Sequence, residues 1–351
     1  MNREDVIAWL REESDEKLQI LWRRADDMRR GHVGEQVHLR GLIEISNICV
    51  RCCSYCGIGS ENRRIGRYRM RSDEILDCVR QAVNFGYGTV VMQSGEDYGI
   101  TRDWMTGLIR RIKDETDLAV TLSLGERPEE DLAAWREAGA NRYLLRFETS
   151  NRMLYERIHP PLRNQPSDRF AILRALKQLG YETGSGVMIG IPGQTYEDLA
   201  EDILLFRELD LDMIGVGPYI SHPDTVLGQA FEDLYAPADQ QVPNSELMTY
   251  KVVALTRLVC PEANIPSTTA LATLNQVEGR ELGLMRGANV VMPNLTPPRY
   301  RVMYEIYPNK ACITETAEAC ASCLGLRIHS IGRTVGAGQG GRVKENPLLR
   351  R

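Results

Sequence analysis

An alternation of short apolar runs with amphipathic helical patterns constrains this sequence more than any other feature. From Val37 onward the alternation occurs eight times, and the predicted strands cover residues 37–46, 89–94, 119–124, 142–147, 182–189, 213–217, 264–266 and 289–292. Helical patterns lie between them, such as 72–85 with Ser72 as its N-cap. Strands that alternate with helices pair in parallel through crossover connections, and eight such units close a barrel. The predicted fold class is therefore α/β, with a complete (β/α)8 TIM barrel.

The segments outside this alternation flank the predicted barrel. An amphipathic pattern from Asp5 to about Arg30 predicts an N-terminal helix. We therefore divide the chain into an N-terminal helical extension (1–36), the barrel (37–310) and a C-terminal segment (311–351) that carries a second group of cysteines.

Composition and charge exclude several classes of protein. The chain has 43% hydrophobic and 26% charged residues, which are the fractions of an ordinary globular protein. A net charge of −5 and the absence of a basic block argue against a nucleic-acid partner. No apolar stretch reaches membrane-spanning length, so no membrane partner is expected. Nine cysteines without a secretion signal indicate a reducing compartment, and the expected location is cytoplasmic.

Two predicted strands carry polar residues on the face that would point into the barrel. Thr121 and Ser123 share one face of the third strand, whereas Val120 and Leu122 share the other. Since strands of a fully packed barrel are apolar on both faces, small hydroxylic residues inside leave space for a polar ligand. The alternative is that these residues lie at a solvated rim.

A cluster of thiols follows the first predicted strand. Cys49, Cys53 and Cys56 form a CxxxCxxC spacing on a loop at the carboxyl end of that strand. Three thiolates at this spacing suit three corners of a cubane iron–sulfur cluster and leave one iron open. A structural zinc site needs a fourth ligand, which here is absent nearby unless Cys52 serves. Inert buried thiols are the remaining alternative.

This loop resembles the signature of radical S-adenosylmethionine (SAM) enzymes. The resemblance implies that Cys49, Cys53 and Cys56 hold a 4Fe–4S cluster whose open iron binds SAM. It also implies one-electron cleavage of SAM to methionine and a 5′-deoxyadenosyl radical. Cys52 is interpreted as a non-ligand, and Tyr55 matches the aromatic residue usual before the third cysteine.

Further segments occur in order along the chain, namely 93–97, 123–126, 146–149, 184–186, 190–194, 217–219, 222–225, 265–269 and 292–294. Together they resemble the HydE family, radical SAM maturases of FeFe-hydrogenase. The resemblance implies that the Gly95-Glu96 segment receives the SAM amine and that Gly190 lies near the adenine. Glu148 would bind the ribose hydroxyls and Arg169 the methionine carboxylate. Glu148 could instead pair with Arg146 as a buried structural bridge.

The same resemblance implies a pocket for a cysteine-bound or cysteine-derived iron precursor of the diiron subcluster. Arg146 is suited to grip a carboxylate through two parallel hydrogen bonds, and hydroxyls complete the set. The implied substrate-binding residues are Ser94, Thr121, Arg146, Thr268, Thr269 and Tyr300. A structural role for Tyr300 is the alternative.

A second cysteine group lies near the C-terminus. Cys312, Cys320 and Cys323 match the spacing of an auxiliary iron–sulfur site of the HydE family, of 2Fe–2S or 4Fe–4S type. A structural metal or free thiols are the alternatives. Cys78 and Cys260 are interpreted as ordinary buried or surface residues.

The leading hypothesis is therefore a radical SAM enzyme that assembles the diiron subcluster of FeFe-hydrogenase. Its implied partners are a small-molecule substrate, an electron donor such as ferredoxin or flavodoxin, and other hydrogenase maturases. The alternatives are a methylornithine-synthase-type mutase, biotin-synthase-like sulfur insertion and a non-catalytic iron–sulfur carrier. The mutase is disfavoured because the pocket set contains no acidic residue to receive a lysine ammonium.

Overall fold

Parallel strands form a curled sheet in the computed structural model, which describes residues 1–162, 167–229 and 234–343. The strands are β1 (Gln36–Ser46), β2 (Thr89–Ser94), β3 (Ala119–Ser123), β4 (Arg142–Leu144), β5 (Glu182–Ile189), β6 (Met213–Pro218), β7 (Val290–Val291) and β8 (Thr334–Val335). Their order is β6-β5-β4-β3-β2-β1-β7, and β8 also pairs with β1. Every ladder is parallel. The predicted α/β class is confirmed.

The sheet differs from the prediction where the seventh strand was expected. Residues 264–266 form only isolated bridges, from Asn264 to Met213 of β6 and from Pro266 to Val290 of β7. A proline in this three-residue segment removes one backbone donor, so no regular ladder forms there. The structure therefore gives a curled parallel sheet, and the complete barrel stays a prediction.

Helices cover the sheet. They are α1 (Arg3–Arg11), α2 (Asp15–Val33), α3 (Ser72–Asn84), α4 (Arg102–Glu115), α5 (Glu129–Glu137), α6 (Arg152–Ile158), α7 (Arg169–Gln178), α8 (Tyr196–Glu208), α9 (Glu246–Val259), α10 (Thr269–Leu274), α11 (Gly279–Met285), α12 (Pro298–Arg301) and α13 (Ala317–Ser330). Their buried aliphatic and aromatic side chains form the core with the outer face of the sheet, at about 1.5–3 kcal/mol for each large side chain. No helix within the described ranges is long and apolar enough to cross a membrane.

The predicted N-terminal helix is two helices. The chain turns between α1 and α2 because the Glu12 carboxylate accepts from the amides of Glu13 (3.1 Å) and Ser14 (3.0 Å). The two helices pack on α8 and α9. The prediction that Ser72 is an N-cap is wrong, because α3 begins at Ser72 and the carboxylate of Glu74 accepts from the Arg71 amide at 2.8 Å.

The C-terminal segment closes the end of the sheet at which the strands begin. Gln36 and Val37 at the start of β1 pair with Thr334 and Val335 of β8. Beyond β8 the tail carbonyls accept from buried side chains at the amino ends of other strands. These bonds are Arg40 Nη2 to Gly340 O (2.9 Å), Thr89 Oγ1 to Gln339 O (2.9 Å) and Arg142 Nη2 to Gln339 O (3.0 Å). Residues 344–351 of the predicted C-terminal segment lie outside the described residues.

Candidate active site

A cavity of about 340 Å³ lies inside the curled sheet, and charged and hydroxylic side chains lie among its mainly apolar lining. Thr121 and Ser123 of β3 line it, whereas Val120 and Leu122 are buried on the other face, as predicted. Most of the predicted ligand-binding residues line the same cavity, namely Tyr55, Cys56, Ser94, Thr121, Arg146, Glu148, Arg169, Thr268 and Thr269. The lining formed by the described residues does not include Cys49, Cys53, Gly95, Glu96, Gly190 or Tyr300.

The cysteine loop follows β1 and borders this cavity through Cys56. Its turns are held by the backbone bonds Cys56 N to Cys53 O (3.2 Å) and Gly59 N to Cys56 O (2.9 Å). Gly95, at the end of β2, packs directly against the loop. A Cβ there would lie 2.3 Å from the Ile48 carbonyl oxygen and 2.8 Å from the Cys49 Cβ. Only glycine fits this contact, so Gly95 sets the position of the loop.

The loop sulfurs sit in a buried environment that needs positive charge. Burial raises the pKa of the Cys49 and Cys53 thiols, and it raises the pKa of Cys56 to about 12. Arg67 opposes this for Cys49 and Cys56, and Arg169 opposes it for Cys53. The guanidinium groups do not offset the burial, so metal coordination is what would hold all three as thiolates.

The spacing of these sulfurs fits a cluster better than a single ion. The sulfurs of Cys49, Cys53 and Cys56, all within the described part of the chain, are not all within 4.8 Å of one another. A tetrahedral zinc ion with bonds of about 2.3 Å draws its sulfurs to about 3.8 Å apart. Ligands of a cubane cluster bind separate irons and stand farther apart. The residues present therefore fit a 4Fe–4S cluster.

A buried ionic network lies behind the loop. Arg51 Nε donates to Glu96 Oε1 (2.8 Å) and its Nη2 to Glu126 Oε2 (2.9 Å), while Arg169 Nε donates to Glu126 Oε1 (3.0 Å). Glu96 also accepts from the Glu126 amide at 3.0 Å, so its carboxylate is held within the protein, and its own amide donates to Cys49 Sγ at 3.4 Å. The network fixes Arg169 at the cavity wall. Arg51 and Glu126 were missed from the sequence because their role depends on pairing between distant loops.

A neutral histidine completes this network. Burial, with Arg169 and Arg51 nearby, lowers the pKa of His159 to about 2. Its Nε2 lies 2.5 Å from Arg169 Nη2 and accepts from it. Arg169 is therefore oriented by Glu126 on one side and His159 on the other.

Arg146 and Glu148 lie beyond the end of β4, where buried hydrogen-bonding positions are unfilled. Arg146 Nη2 is 3.1 Å from Glu148 Oε2 and donates to the Val187 carbonyl at 2.5 Å. Arg146 Nε and Thr121 Oγ1 are buried without a hydrogen-bond partner among the described residues, whereas Glu148 Oε2 has the ion pair with Arg146. Because buried polar atoms are normally satisfied, the first two atoms indicate positions that a bound ligand fills.

Backbone strain marks the same place. Glu148 has φ 65°, in the left-handed region that a non-glycine residue adopts at a cost of roughly 1–3 kcal/mol. Its amide nevertheless donates to the Gly186 carbonyl at 3.1 Å, which returns the chain to the edge of β5. The kink interrupts β4, so the predicted strand 142–147 ends at Leu144.

The other predicted residues have the following environments. Thr268 Oγ1 accepts from the Leu271 amide (3.3 Å) as the N-cap of α10. Ser94 Oγ donates to the Gly95 carbonyl (2.5 Å). Gly190, at the end of β5, has φ 77°, and a Cβ there would lie 2.3 Å from the Asn244 amide nitrogen. The positive φ and the close contact with Asn244 each require glycine at this position.

Tyr300, which the resemblance places in the substrate pocket, lies outside the lining of this cavity. Its ring stacks on Tyr68 with centroids 4.7 Å apart, and its hydroxyl donates to Glu74 Oε1 at 2.8 Å. Tyr300 sits on α12, which turns it toward α3, so the structural alternative describes it. Tyr307, seven residues later, lines the cavity in its place.

Two charged cavity residues, Arg40 and Glu44, were also missed. With Leu42 between them they line the cavity from alternate positions of β1. Two charged residues on one face of an otherwise apolar strand predict that this face lines a polar site, so the sequence contained this information. Lys310 also lines the cavity. It does not lie in or next to a predicted strand, so no local pattern indicated its position.

The second cysteine group also forms a site. The ligand atoms of Cys312, Glu315 and Cys320 lie within 4.8 Å of one another. Cys323 lines the same cavity of about 390 Å³ but is exposed. A hydrogen bond from Cys312 lowers the pKa of Cys320, although burial opposes the shift. The structure adds Glu315 to the predicted set.

These features define a class of protein. A curled parallel sheet with charged side chains in its interior, and a loop of three half-buried cysteines after its first strand, is the arrangement of radical SAM enzymes. The Radical SAM superfamily model matches residues 43–206. Radical SAM enzymes use a 4Fe–4S cluster and SAM, which are the cofactors of this enzyme.

Whole-chain comparisons identify the family. The chain is 45% identical over 326 residues to the [FeFe] hydrogenase maturase subunit HydE of Thermotoga maritima, covering 93% of this chain and 89% of the relative. It is 28% identical over 293 residues to 3-methylornithine synthase of Methanosarcina acetivorans, covering 83% and 79% of the two chains. The crystal structure of methylornithine synthase (PylB) superposes with a TM-score of 0.81 at 25% identity, covering 95% and 94%. The chain belongs to the HydE family of radical SAM enzymes.

Proposed function

We propose that this enzyme is a maturase of FeFe-hydrogenase that acts in assembly of the diiron subcluster on a cysteine-bound iron precursor. The observation that carries the proposal is the pair of unsatisfied buried atoms, Arg146 Nε and Thr121 Oγ1, beside the Arg146–Glu148 ion pair in one cavity that Cys56 also borders. They offer a donor, an acceptor and a hydroxyl where a small amino-acid-like anion and SAM would meet. The HydE relative carries the maturase name.

The SAM side of the cavity would be formed by residues near the cysteine loop. Cys49, Cys53 and Cys56 would hold three irons of the 4Fe–4S cluster, and the reduced cluster supplies the electron that cleaves SAM to a 5′-deoxyadenosyl radical. Arg169 would face the methionine carboxylate and Glu148 the ribose hydroxyls. The backbone around Gly95 and Glu96 would receive the amine, because the Glu96 carboxylate is held by Arg51. Tyr55 and Gly190 would border the adenine.

The substrate side would centre on Arg146. Its guanidinium would grip the carboxylate of the precursor, with the hydroxyls of Thr121, Ser94, Thr268 and Thr269 completing the hydrogen bonding. These residues line the interior of the curled sheet, where a reactive radical would form beside its target and away from side reactions. Tyr300 is not part of this proposal.

We also propose that the curled sheet closes into a complete (β/α)8 barrel through residues 264–266. Ile214 N donates to Asn264 O and Ser267 N to Val290 O, each at 2.9 Å, so backbone hydrogen bonds join β6 and β7 across this segment. The proposed divisions remain 1–36, 37–310 and 311–351. The site of Cys312, Cys320 and Cys323 would hold a second iron–sulfur cluster.

The proposed partners follow from this chemistry. A low-potential electron donor such as ferredoxin or flavodoxin would reduce the cluster, and other hydrogenase maturases would supply and receive the iron precursor. We propose a cytoplasmic location, since the nine cysteines are free and their chemistry requires reducing conditions.

Anaerobic reconstitution tests the enzyme class. Protein loaded with iron and sulfide should release 5′-deoxyadenosine and methionine when mixed with SAM and dithionite. An intact cluster that yields neither product would replace the enzyme with an iron–sulfur carrier.

A second experiment tests the substrate side. Arg146→Met should weaken cysteine-derived ligands by about thirty-fold or more in calorimetric titrations, because a charged hydrogen-bonding partner in the cavity is lost. SAM should still bind. Parallel loss of both ligands would contradict the clamp and favour a structural Arg146–Glu148 bridge.

A further inference from the structure

A buried ion pair within the central cavity has no part in the proposed chemistry. Glu44 of β1 and Lys310 both line the cavity, and their side chains are 2% and 4% exposed. Lys310 Nζ contacts Glu44 Oε1, and the two residues are 266 positions apart in the sequence. Asn294 Nδ2 donates to the other carboxylate oxygen at 3.0 Å. Both oxygens of Glu44 are therefore occupied by the protein itself.

Lys310 is held at this pair by its own surroundings. Its Nζ also donates to the Tyr304 carbonyl at 3.3 Å and lies 5.2 Å from the centroid of the Tyr304 ring. The Tyr304 hydroxyl in turn accepts from Gln93 Nε2 at 3.2 Å. The ammonium is thus positioned by a carbonyl, an aromatic ring and a carboxylate.

The pair decides whether the cavity presents a free carboxylate to a ligand. Within the described lining the acidic side chains are Glu44 and Glu148, and the basic ones are Arg40, Arg146, Arg169 and Lys310. With Lys310 in place Glu44 offers no free carboxylate, and the cavity has a cationic excess. Without Lys310, Glu44 would be a buried carboxylate facing the cavity, which is the group that binds a ligand ammonium.

We propose that Lys310 is a specificity-determining residue, which neutralises Glu44 and so excludes amino acids with a cationic side chain from the cavity. The inference rests on the proposed amino-acid-like substrate. It also gives a physical reason why a chain so similar in fold to methylornithine synthase, whose named product is a diamino acid, would not accept such a ligand. The acidic residue that a mutase would need is present here as Glu44, but Lys310 neutralises its charge.

Paired ligands of matched size test the proposal. L-lysine and L-norleucine share the α-amino-acid group and differ by the terminal ammonium. Calorimetric titration of the reconstituted wild-type enzyme should show no preference for lysine. Lys310→Met, which keeps chain length and removes the charge, should bind lysine about tenfold or more tightly than norleucine. The double variant Lys310→Met with Glu44→Gln should lose that preference.

A second variant keeps the proposal testable if Lys310→Met does not fold. Glu44→Gln leaves the Lys310 ammonium unpaired, and it should favour L-2-aminoadipate over norleucine by a similar factor. Wild-type preference for lysine, or folded variants that keep the wild-type ratios, would overturn the inference. Failure of the proposed function would instead appear as no 5′-deoxyadenosine from the wild-type enzyme, which these binding ratios do not measure.

Discussion

Cys52 lies between two proposed cluster ligands, Cys49 and Cys53, but is not one of the three thiols of the CxxxCxxC spacing. We predict that Cys49→Ala, Cys53→Ala or Cys56→Ala abolishes SAM cleavage, because three thiolates are needed to hold the cluster and leave one iron open. Cys52→Ala should retain both iron and activity. Iron content and 5′-deoxyadenosine yield measure the two effects, and loss of the cluster in Cys52→Ala alone would show that the ligand set is wrong.

Glu148 combines a strained backbone with a carboxylate that lines the cavity and is ion-paired to Arg146. We predict that Glu148→Gln preserves the fold but lowers SAM affinity about tenfold or more, because a charged acceptor for the ribose hydroxyls is lost. Calorimetric titration of SAM measures the effect. Glu156→Gln, an exposed change on α6, is the matched control and should bind SAM as the wild type does. Unchanged affinity in Glu148→Gln would remove Glu148 from the SAM site.

The loop after β4 is anchored from α8 by a carboxyl group that burial makes pH-sensitive. Asp202 Oδ1 accepts from the Ser150 amide at 2.6 Å, and its Oδ2 has no hydrogen-bond partner among the described residues. Burial raises the pKa of Asp202 from 3.8 to about 7, so the folded protein keeps this carboxyl protonated in mild acid. A raised folded-state pKa contributes stability that is complete below the unfolded pKa and is lost as the pH rises through the folded value.

We therefore predict that the free energy of unfolding falls between about pH 4 and pH 7 by on the order of 2–4 kcal/mol through Asp202. Asp202→Asn should remove most of that fall, because an amide does not ionise. Urea denaturation across this range measures both proteins. Asp27→Asn, at an exposed position of α2, should leave the slope unchanged. An identical slope in Asp202→Asn would show that another group causes the dependence.

The two ends of the parallel sheet have different roles. The cysteine loop lies where β1 ends, and the tail from Thr334 covers the end where β1 begins. Deleting 334–351 should lower Tm and the free energy of unfolding by several kcal/mol, because Arg40 and Arg142 lose buried hydrogen-bond acceptors. Iron binding at the cysteine loop should persist. Unchanged stability would show that the tail only rests on the sheet.

The second cysteine site lies in a cavity separate from the cysteine loop. We predict that the triple variant Cys312→Ser, Cys320→Ser and Cys323→Ser loses the iron of that site and retains SAM cleavage. Iron analysis and 5′-deoxyadenosine yield measure the two effects. Loss of cleavage in a folded triple variant would make this site an electron relay or a substrate site.

Much of the fold and of the site could be predicted from the sequence, because both depend on patterns among residues that are close together in the chain. The alternation of residues in β3 places Thr121 and Ser123 in the cavity, since successive side chains of a strand point to opposite faces. The spacing of Cys49, Cys53 and Cys56 on one loop likewise needs no distant contact. The same alternation places Arg40 and Glu44 of β1 on the cavity face, so their position was also predictable from the sequence.

The remaining features depend on contacts between distant parts of the chain, which no local pattern encodes. Tyr300 matched a pocket position by sequence, yet the path of α12 turns it to Tyr68 and Glu74. The tail beyond Thr334 carries no strand or helix pattern, yet its carbonyls accept hydrogen bonds from buried donors of several strands. Sequence order alone determined the cysteine loop and the polar face of the sheet, because helix and strand periodicity are properties of neighbouring residues. Only the tertiary structure decided that Lys310 meets Glu44, because that pairing requires the chain to return to β1 across 266 positions.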